Sequence, residues 1–167
     1  EYVLILNSYN ESSPWSNSIT TPIVHKLAGT KNIDAYIEHL NLFMVGDSAK
    51  IEKFSETLSS RYGSTPPRLL VFVGSMSLIF REEIQALWGT VPTIVCGADP
   101  YVYPEIFYRQ RDTVTPKEKT HMSELAQEYN FTYMHTPIYL EESVELMLQM
   151  IPGMKRLIFL GDGIYHS

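Results

Sequence analysis

The chain has 167 residues, 44% of them hydrophobic and 19% charged, and its 13 Lys+Arg against 19 Asp+Glu leave a net charge of -6. That length suits one domain or at most two, and the composition excludes disordered, collagen-like and low-complexity classes. An acidic chain without a basic run repels a phosphate backbone, so nucleic acid is excluded as a partner.

In chain order, residues 2–7 (YVLILN) form a short, nearly continuous apolar run, and RLLVFVG at 68–74, PTIVCGA at 92–98 and RLIFLGD at 156–162 repeat the type. Runs apolar at every position and closed by Gly, Asn or Asp read as strands buried on both faces, which means a parallel sheet covered by helices. Residues 33–38 (IDAYIE) alternate and suit a strand nearer the edge. Helices are expected between the strands. The first covers 16–28, with Ile19, Ile23, Val24 and Leu27 apolar and Pro22 expected to kink or delay it. The second covers 47–62, capped by Asp47 or Ser48, with Ile51, Phe54 and Leu58 on one face. The third runs from Ser77 to Trp88 and stops at Gly89, with Ser75 or Ser77 as its cap.

After the strand at 92–98 comes an excursion over 99–129. It holds the aromatic string DPYVYPEIFYRQ at 99–110, followed by a solvated helix over 115–129 opened by Thr115 and Pro116. A loop of this length is more often functional or an interface than filler. A short strand around 131–136, a helix over 141–151 stopped by Pro152 and Gly153, and the strand at 156–162 complete the chain. The alternation predicts an α/β fold: a doubly wound, mainly parallel sheet flanked by helices.

In such a sheet, ligands sit beyond the carboxyl ends of the strands. The residues there are Asn7, Ser8 and Tyr9; Gly74, Ser75 and Met76; Gly97, Ala98 and Asp99; and Gly161, Asp162 and Gly163. Ser, Asn, Asp and Gly are also favoured in turns and caps, so each position has that second reading. The free amides at the start of the helix near Leu78 offer a place for an anionic group beside Ser75.

Several enzyme classes are missing their parts: GxGxxG, GxxxxGK[ST] and GxSxG do not occur, and GSMS at 74–77 lacks the second glycine of a nucleophile elbow. The five histidines share no i, i+4 pairing, so no metal is expected. Cys96, the sole cysteine, rules out an internal disulfide and reads as a small buried hydrophobe. Tyr9, Trp15, Ser75, Asp99, Tyr101 and Tyr103 are recognition residues in type, since aromatic faces and a few polar groups build small-molecule sites. Trp15 and Tyr101 also suit partial packing under a loop.

The strings VLILNSYNESSPWSNSI, PTIVCGADPY and EESVELMLQMIPGMKRLIFLGDGIY resemble the extracytoplasmic sensor domains of bacterial two-component histidine kinases of the Bacteroides type. Those domains are related to ABC-transporter substrate-binding proteins. The resemblance implies a periplasmic-binding-protein-like lobe over 1–136, including the excursion 99–129, and a hinge with the start of a second lobe over 137–167. It implies a small ligand, such as an amino acid, a peptide or a glycan fragment, clasped between lobes. The implied lining is Ser8, Tyr9 and Trp15; Gly74, Ser75 and Met76; Asp99 and Tyr101; and Asp162 with Tyr165. It also implies no catalytic residues and no cofactor in this chain, and a parent protein anchored in the inner membrane with this part in the periplasm. The start at Glu1 reads as an excised segment. The alternative is the solute-binding component of an ABC importer. An apolar strand at 157–161 without a sheet of its own is expected to dock on the sheet edge or to pair with a second copy in a homodimer.

Overall fold

The computed structural model describes residues 1–42, 48–63, 65–104, 118–137 and 139–158. They belong to two compact units, Glu1–Thr136 and Pro137–Ser167. The first unit opens with β1 (Tyr2–Asn7), α1 (Pro14–Ala28), β2 (Asp34–His39), α2 (Ser48–Tyr62) and β3 (Leu69–Val73). A 3-10 helix (Ser75–Phe80), α3 (Arg81–Trp88) and β4 (Thr93–Ala98) come next. Then come β5 (Tyr101–Val102), β6 (Thr120–His121), α4 (Met122–Glu128) and β7 (Thr132–His135).

Five strands make one sheet in the order β2-β1-β3-β4-β7, and every pairing in it is parallel. This is the expected α/β, doubly wound architecture. The direction of winding reverses between β1 and β3, so a crevice opens at their carboxyl ends. Alternate residues of each strand face opposite layers. Val3, Ile5, Val71, Val73 and Cys96 pack with Ile19, Ile23, Val24 and Leu27 of α1. Leu4, Leu6, Leu70, Phe72 and Val95 are likewise buried, on the other face. The ring of Phe54 from α2 meets Phe80 edge to face at 4.8 Å. Burying each such side chain contributes about 1.5–3 kcal/mol, so the central strands are the most firmly held part of the unit.

Local chemistry explains where elements depart from expectation. Helix α1 starts two residues early, at Pro14, because Ser13 caps it by accepting from the Ser16 amide and because proline suits the first helical turn. It runs through Pro22 without a break. The bond that Pro22 forfeits would go to Ser18, and both residues are exposed, so the loss falls on the solvent side of the helix. The helix expected over 115–129 is shorter: Thr120 and His121 pair antiparallel with Val102 and Tyr101, and α4 begins only at Met122. His121 caps it, its Nδ1 accepting from the Ser123 amide at 3.2 Å. Nor is it wholly solvated, since Met122 and Leu125 are buried. Asp47, Thr115, Pro116 and residues 105–110, the second half of the aromatic string, lie outside the described residues.

The second unit contributes α5 (Leu140–Met150), closed by a turn through Pro152 and Gly153. Leu157 and Ile158 belong to no strand, and residues 159–161 of the expected last strand lie outside the described residues. Among the described residues no helix is long and apolar enough to cross a membrane.

Candidate functional site

The carboxyl ends of β1, β3 and β4 are bound together by polar side chains. Asn7, fully buried at the end of β1, accepts the Tyr9 amide on Oδ1 at 3.0 Å. That bond fixes the amide's orientation, so Nδ2 is the donor to Ser16 Oγ and to His39 Nδ1, each at 3.2 Å. His39 therefore accepts on Nδ1 and carries its proton on Nε2. One side chain thus ties the β1 turn to α1 and to the end of β2.

Ser8 ties β1 to β3. Its amide donates to the Val73 carbonyl at 2.9 Å, and its hydroxyl donates to the Gly74 carbonyl at 3.2 Å while accepting the Ser77 amide at 2.9 Å. Neither Ser75 nor Ser77 caps the helix after β3, contrary to expectation. The 3-10 helix starts directly at the strand end, its first residues are buried, and the capping oxygen comes from Ser8 on the neighbouring strand. The Ser77 hydroxyl donates to the Gly74 carbonyl at 2.9 Å, and the Ser75 hydroxyl donates to the carboxylate of Asp99.

Asp99 owes its place to a bulge. Between Cys96 and Ala98 the register of β4 against β7 slips by one residue, with Gly97 at φ +67 as the extra residue. A bulge of this kind bends a strand end and re-aims the residues just beyond it. Glycine is required twice over there: the left-handed backbone disfavours a side chain, and a Cβ would lie 2.2 Å from Cη2 of Trp15. The tip of the Trp15 indole lies over this gap. Gly74, at φ +84, leaves similar room beneath Tyr9. The rings of Tyr9 and Trp15 meet at 4.9 Å and 55°. The Tyr9 phenol is pushed up to about 12, first by burial and then by the charge of Asp99. Trp15 keeps 38% of its surface exposed.

The expected residues are thus brought together selectively. Ser8, Tyr9, Trp15, Gly74, Ser75 and Asp99 form one cluster. Met76 is buried, at 3% exposure. Tyr101 is 49% exposed on β5 and sets its ring edge to face with His121 at 5.2 Å. Asp162 and Tyr165 lie outside the described residues. Asn7 and Gly97, expected at the strand ends, join the site, and so do Ser16 and His39, which were not expected there. A lone glycine inside an apolar strand run signals a bulge, so Gly97 carried a readable sign. Ser16 and His39 carried none, since their partner is remote in sequence.

Cys96 is buried, and burial raises its thiol above the ordinary range. Among the described residues no group of three His, Cys, Asp or Glu side chains could hold a metal ion. A tight cavity of about 40 Å³ between Leu70, Arg81, Ile84, Val91, Tyr129 and Phe131 lies at the amino ends of the strands, away from this cluster.

No protein-family model and no curated protein matches the chain. Among solved structures, it is similar to the ligand-free, open structure of CD0873, a substrate binding protein with adhesive properties from Clostridium difficile. The two are 13% identical with a TM-score of 0.43, over 92% of this chain and 62% of that one. The chain therefore spans less than two thirds of that protein's length.

Proposed function

We propose that the chain is the ligand-sensing extracytoplasmic input domain of a membrane-bound two-component histidine kinase. On this reading it binds a small molecule, has no catalytic activity and needs no cofactor. The observation that carries the binding function is the cluster at the carboxyl ends of β1, β3 and β4, where Tyr9, Trp15, Ser75 and Asp99 converge at the winding reversal of the sheet. Fixed polar groups beside aromatic faces suit recognition. The Ser75 hydroxyl meets a carboxylate and not an imidazole, an arrangement that supports binding over nucleophilic catalysis. The kinase context rests on the resemblance carried by the strings at 3–19, 92–101 and 141–165.

Two measurements test the reading together. Native mass spectrometry of the purified chain should show a co-purified small molecule, an amino acid, short peptide or glycan fragment, lost on Trp15→Ala. The parent coding sequence should continue through a membrane-spanning helix into a kinase module. A lipoprotein signal with an adjacent permease gene would instead make the chain an importer component.

A further inference from the structure

We propose that the chain pairs with a second copy of itself through the outer edge of β2, antiparallel about a two-fold axis at Ile37, so that the two parallel sheets run on as one. This surface is separate from the ligand cluster and from the apolar run at 157–161.

The backbone decides which groups this edge offers. Asp34 donates its amide to the Glu1 carbonyl at 3.0 Å, and Leu40 donates to the Asn7 carbonyl at 2.8 Å. In a parallel ladder such bonds recur at every second residue, so Asp34, Tyr36, Glu38 and Leu40 turn their backbone groups to β1. Ala35, Ile37 and His39 turn theirs outward, and among the described residues no strand meets them. The two edges of the sheet are guarded differently. β7 has four residues and slips register against β4 at Gly97. β2 has six residues in unbroken register with β1 and contains no Pro, Lys or Arg. A long, regular edge without those residues is a template for another strand.

Side chains select the register. Two copies related by a two-fold axis across the edge pair antiparallel, and their outward residues must oppose one another to exchange both backbone bonds. Two registers overlap most of the strand. The one centred on Tyr36 sets Asp34 directly opposite Glu38 on both sides of the axis, like charge against like. The one centred on Ile37 makes Ile37 with itself and Ala35 with His39 the hydrogen-bonded pairs. Between them, in the closely spaced pair, Tyr36 lies opposite the partner's Glu38. Directly opposite residues share a face of the sheet, so the partner's Tyr36 comes over the hollow of about 490 Å³ lined by Tyr2, Tyr36, Glu38, Arg61 and Tyr62. The pairing covers a Tyr36 ring that is 47% exposed in the single chain. Arg61 and Tyr62 both engage Oε1 of Glu38, which leaves Oε2 to accept the hydroxyl of the partner's Tyr36.

Sedimentation equilibrium and residue-resolved amide exchange of the wild-type chain, both run from about 10 μM to about 1 mM, test the pairing. The mass should rise towards the dimer, and over the same range exchange at Ala35, Ile37 and His39 should slow. Tyr36 and Glu38, already bonded to β1, should stay protected throughout and serve as the internal control. Two variants then test the register. Tyr36→Glu sets acid against the partner's Glu38 and should weaken the dimer about tenfold or more, whereas Tyr36→Lys sets a base there and should leave it at least as tight as wild type. The wild-type exchange pattern stands even if a variant does not fold. A chain that stays monomeric at about 1 mM, or a dimer in which Ala35, Ile37 and His39 exchange as fast as in the monomer, would overturn the pairing. Equal weakening by Tyr36→Glu and Tyr36→Lys in folded variants would overturn the axis at Ile37.

Discussion

At the carboxyl ends of β1, β3 and β4, Tyr9 lies against Trp15 and beside Asp99; at the outer edge of the sheet, Tyr62 stacks on Tyr2 at 5.9 Å and donates to Glu38 at 2.6 Å. Both phenols are pushed up to about 12, and burial is the leading cause in each. The carboxylates differ. Glu38 takes the guanidinium of Arg61 as well as the Tyr62 hydroxyl, so the edge cluster balances its own charge. Asp99 takes a neutral hydroxyl from Ser75 and lies beside the Tyr9 phenol. The edge hollow is roomy, about 490 Å³ between Tyr2, Tyr36, Glu38, Arg61 and Tyr62, yet its polar groups answer one another. Volume alone therefore does not decide between the two places.

The contrast can be broken most forcefully at Gly97. Gly97→Ala forces a side chain into a left-handed backbone and against Trp15, and should cost about 2–4 kcal/mol in urea denaturation. Adding Trp15→Ala relieves the clash but not the backbone strain, so the double variant should recover part of that loss. A single variant with the wild-type midpoint would refute the fit of Trp15 over the bulge.

Ser8→Ala comes next. It leaves the buried Ser77 amide without its acceptor and should cost about 1–3 kcal/mol, whereas Ser75→Ala, at the partly buried end of the cluster, should cost about 0.5–1.5 kcal/mol. Equal losses would mean that Ser8 does not hold β1 to the 3-10 helix.

Alkaline titration sharpens the comparison further. A phenol held above its ordinary value of 10.0 contributes stability that is fully present below pH 10 and is lost as pH rises from there through about 12. Tyr9→Phe and Tyr62→Phe should each remove one late-ionising phenol from the ultraviolet titration and flatten the loss of stability in that window. Asp99→Asn should lower the Tyr9 value only partly, because burial leads. A Tyr9 that titrates near 10 in the folded chain would contradict its packing. The smallest effect is expected at the edge, where Arg61→Ala, removing an exposed partner, should leave the urea midpoint unchanged within error.

The sheet was legible in the sequence because its central strands are buried on both faces and so carry unbroken apolar runs, as in Leu4 to Leu6 and Leu70 to Val73. Edge strand β2 was equally plain from its alternation. The 3-10 helix was not: Ser75 to Phe80 is buried throughout, so no polar face marked its turn, and a helix read from Ser77 blurred two elements into one. The excursion misled for a different reason. Thr120 and His121 are held in a strand by Tyr101 and Val102, a tertiary pairing that local helix signals cannot report. Of the site, the residue types after each strand were visible, but the direction of their bonds was not. Ser75 read as a cap for an anion and proves to be a donor to Asp99. The expected strand at 157–161 was named from an apolar run, and its described part, Leu157 and Ile158, is unpaired with any strand.

The most direct test of a ligand site at the β1, β3 and β4 ends exploits the two tryptophans of the chain, Trp15 and Trp88. Labelled with 5-fluorotryptophan and assigned with Trp15→Phe, the chain should give one 19F resonance from the cluster and one from the end of α3. Titrated with fractionated amino acids, short peptides and glycan fragments, the Trp15 resonance should move with at least one fraction while Trp88 holds its position. Fractions that move Trp88 and leave Trp15 in place, or a Trp15 resonance that no fraction moves, would contradict it.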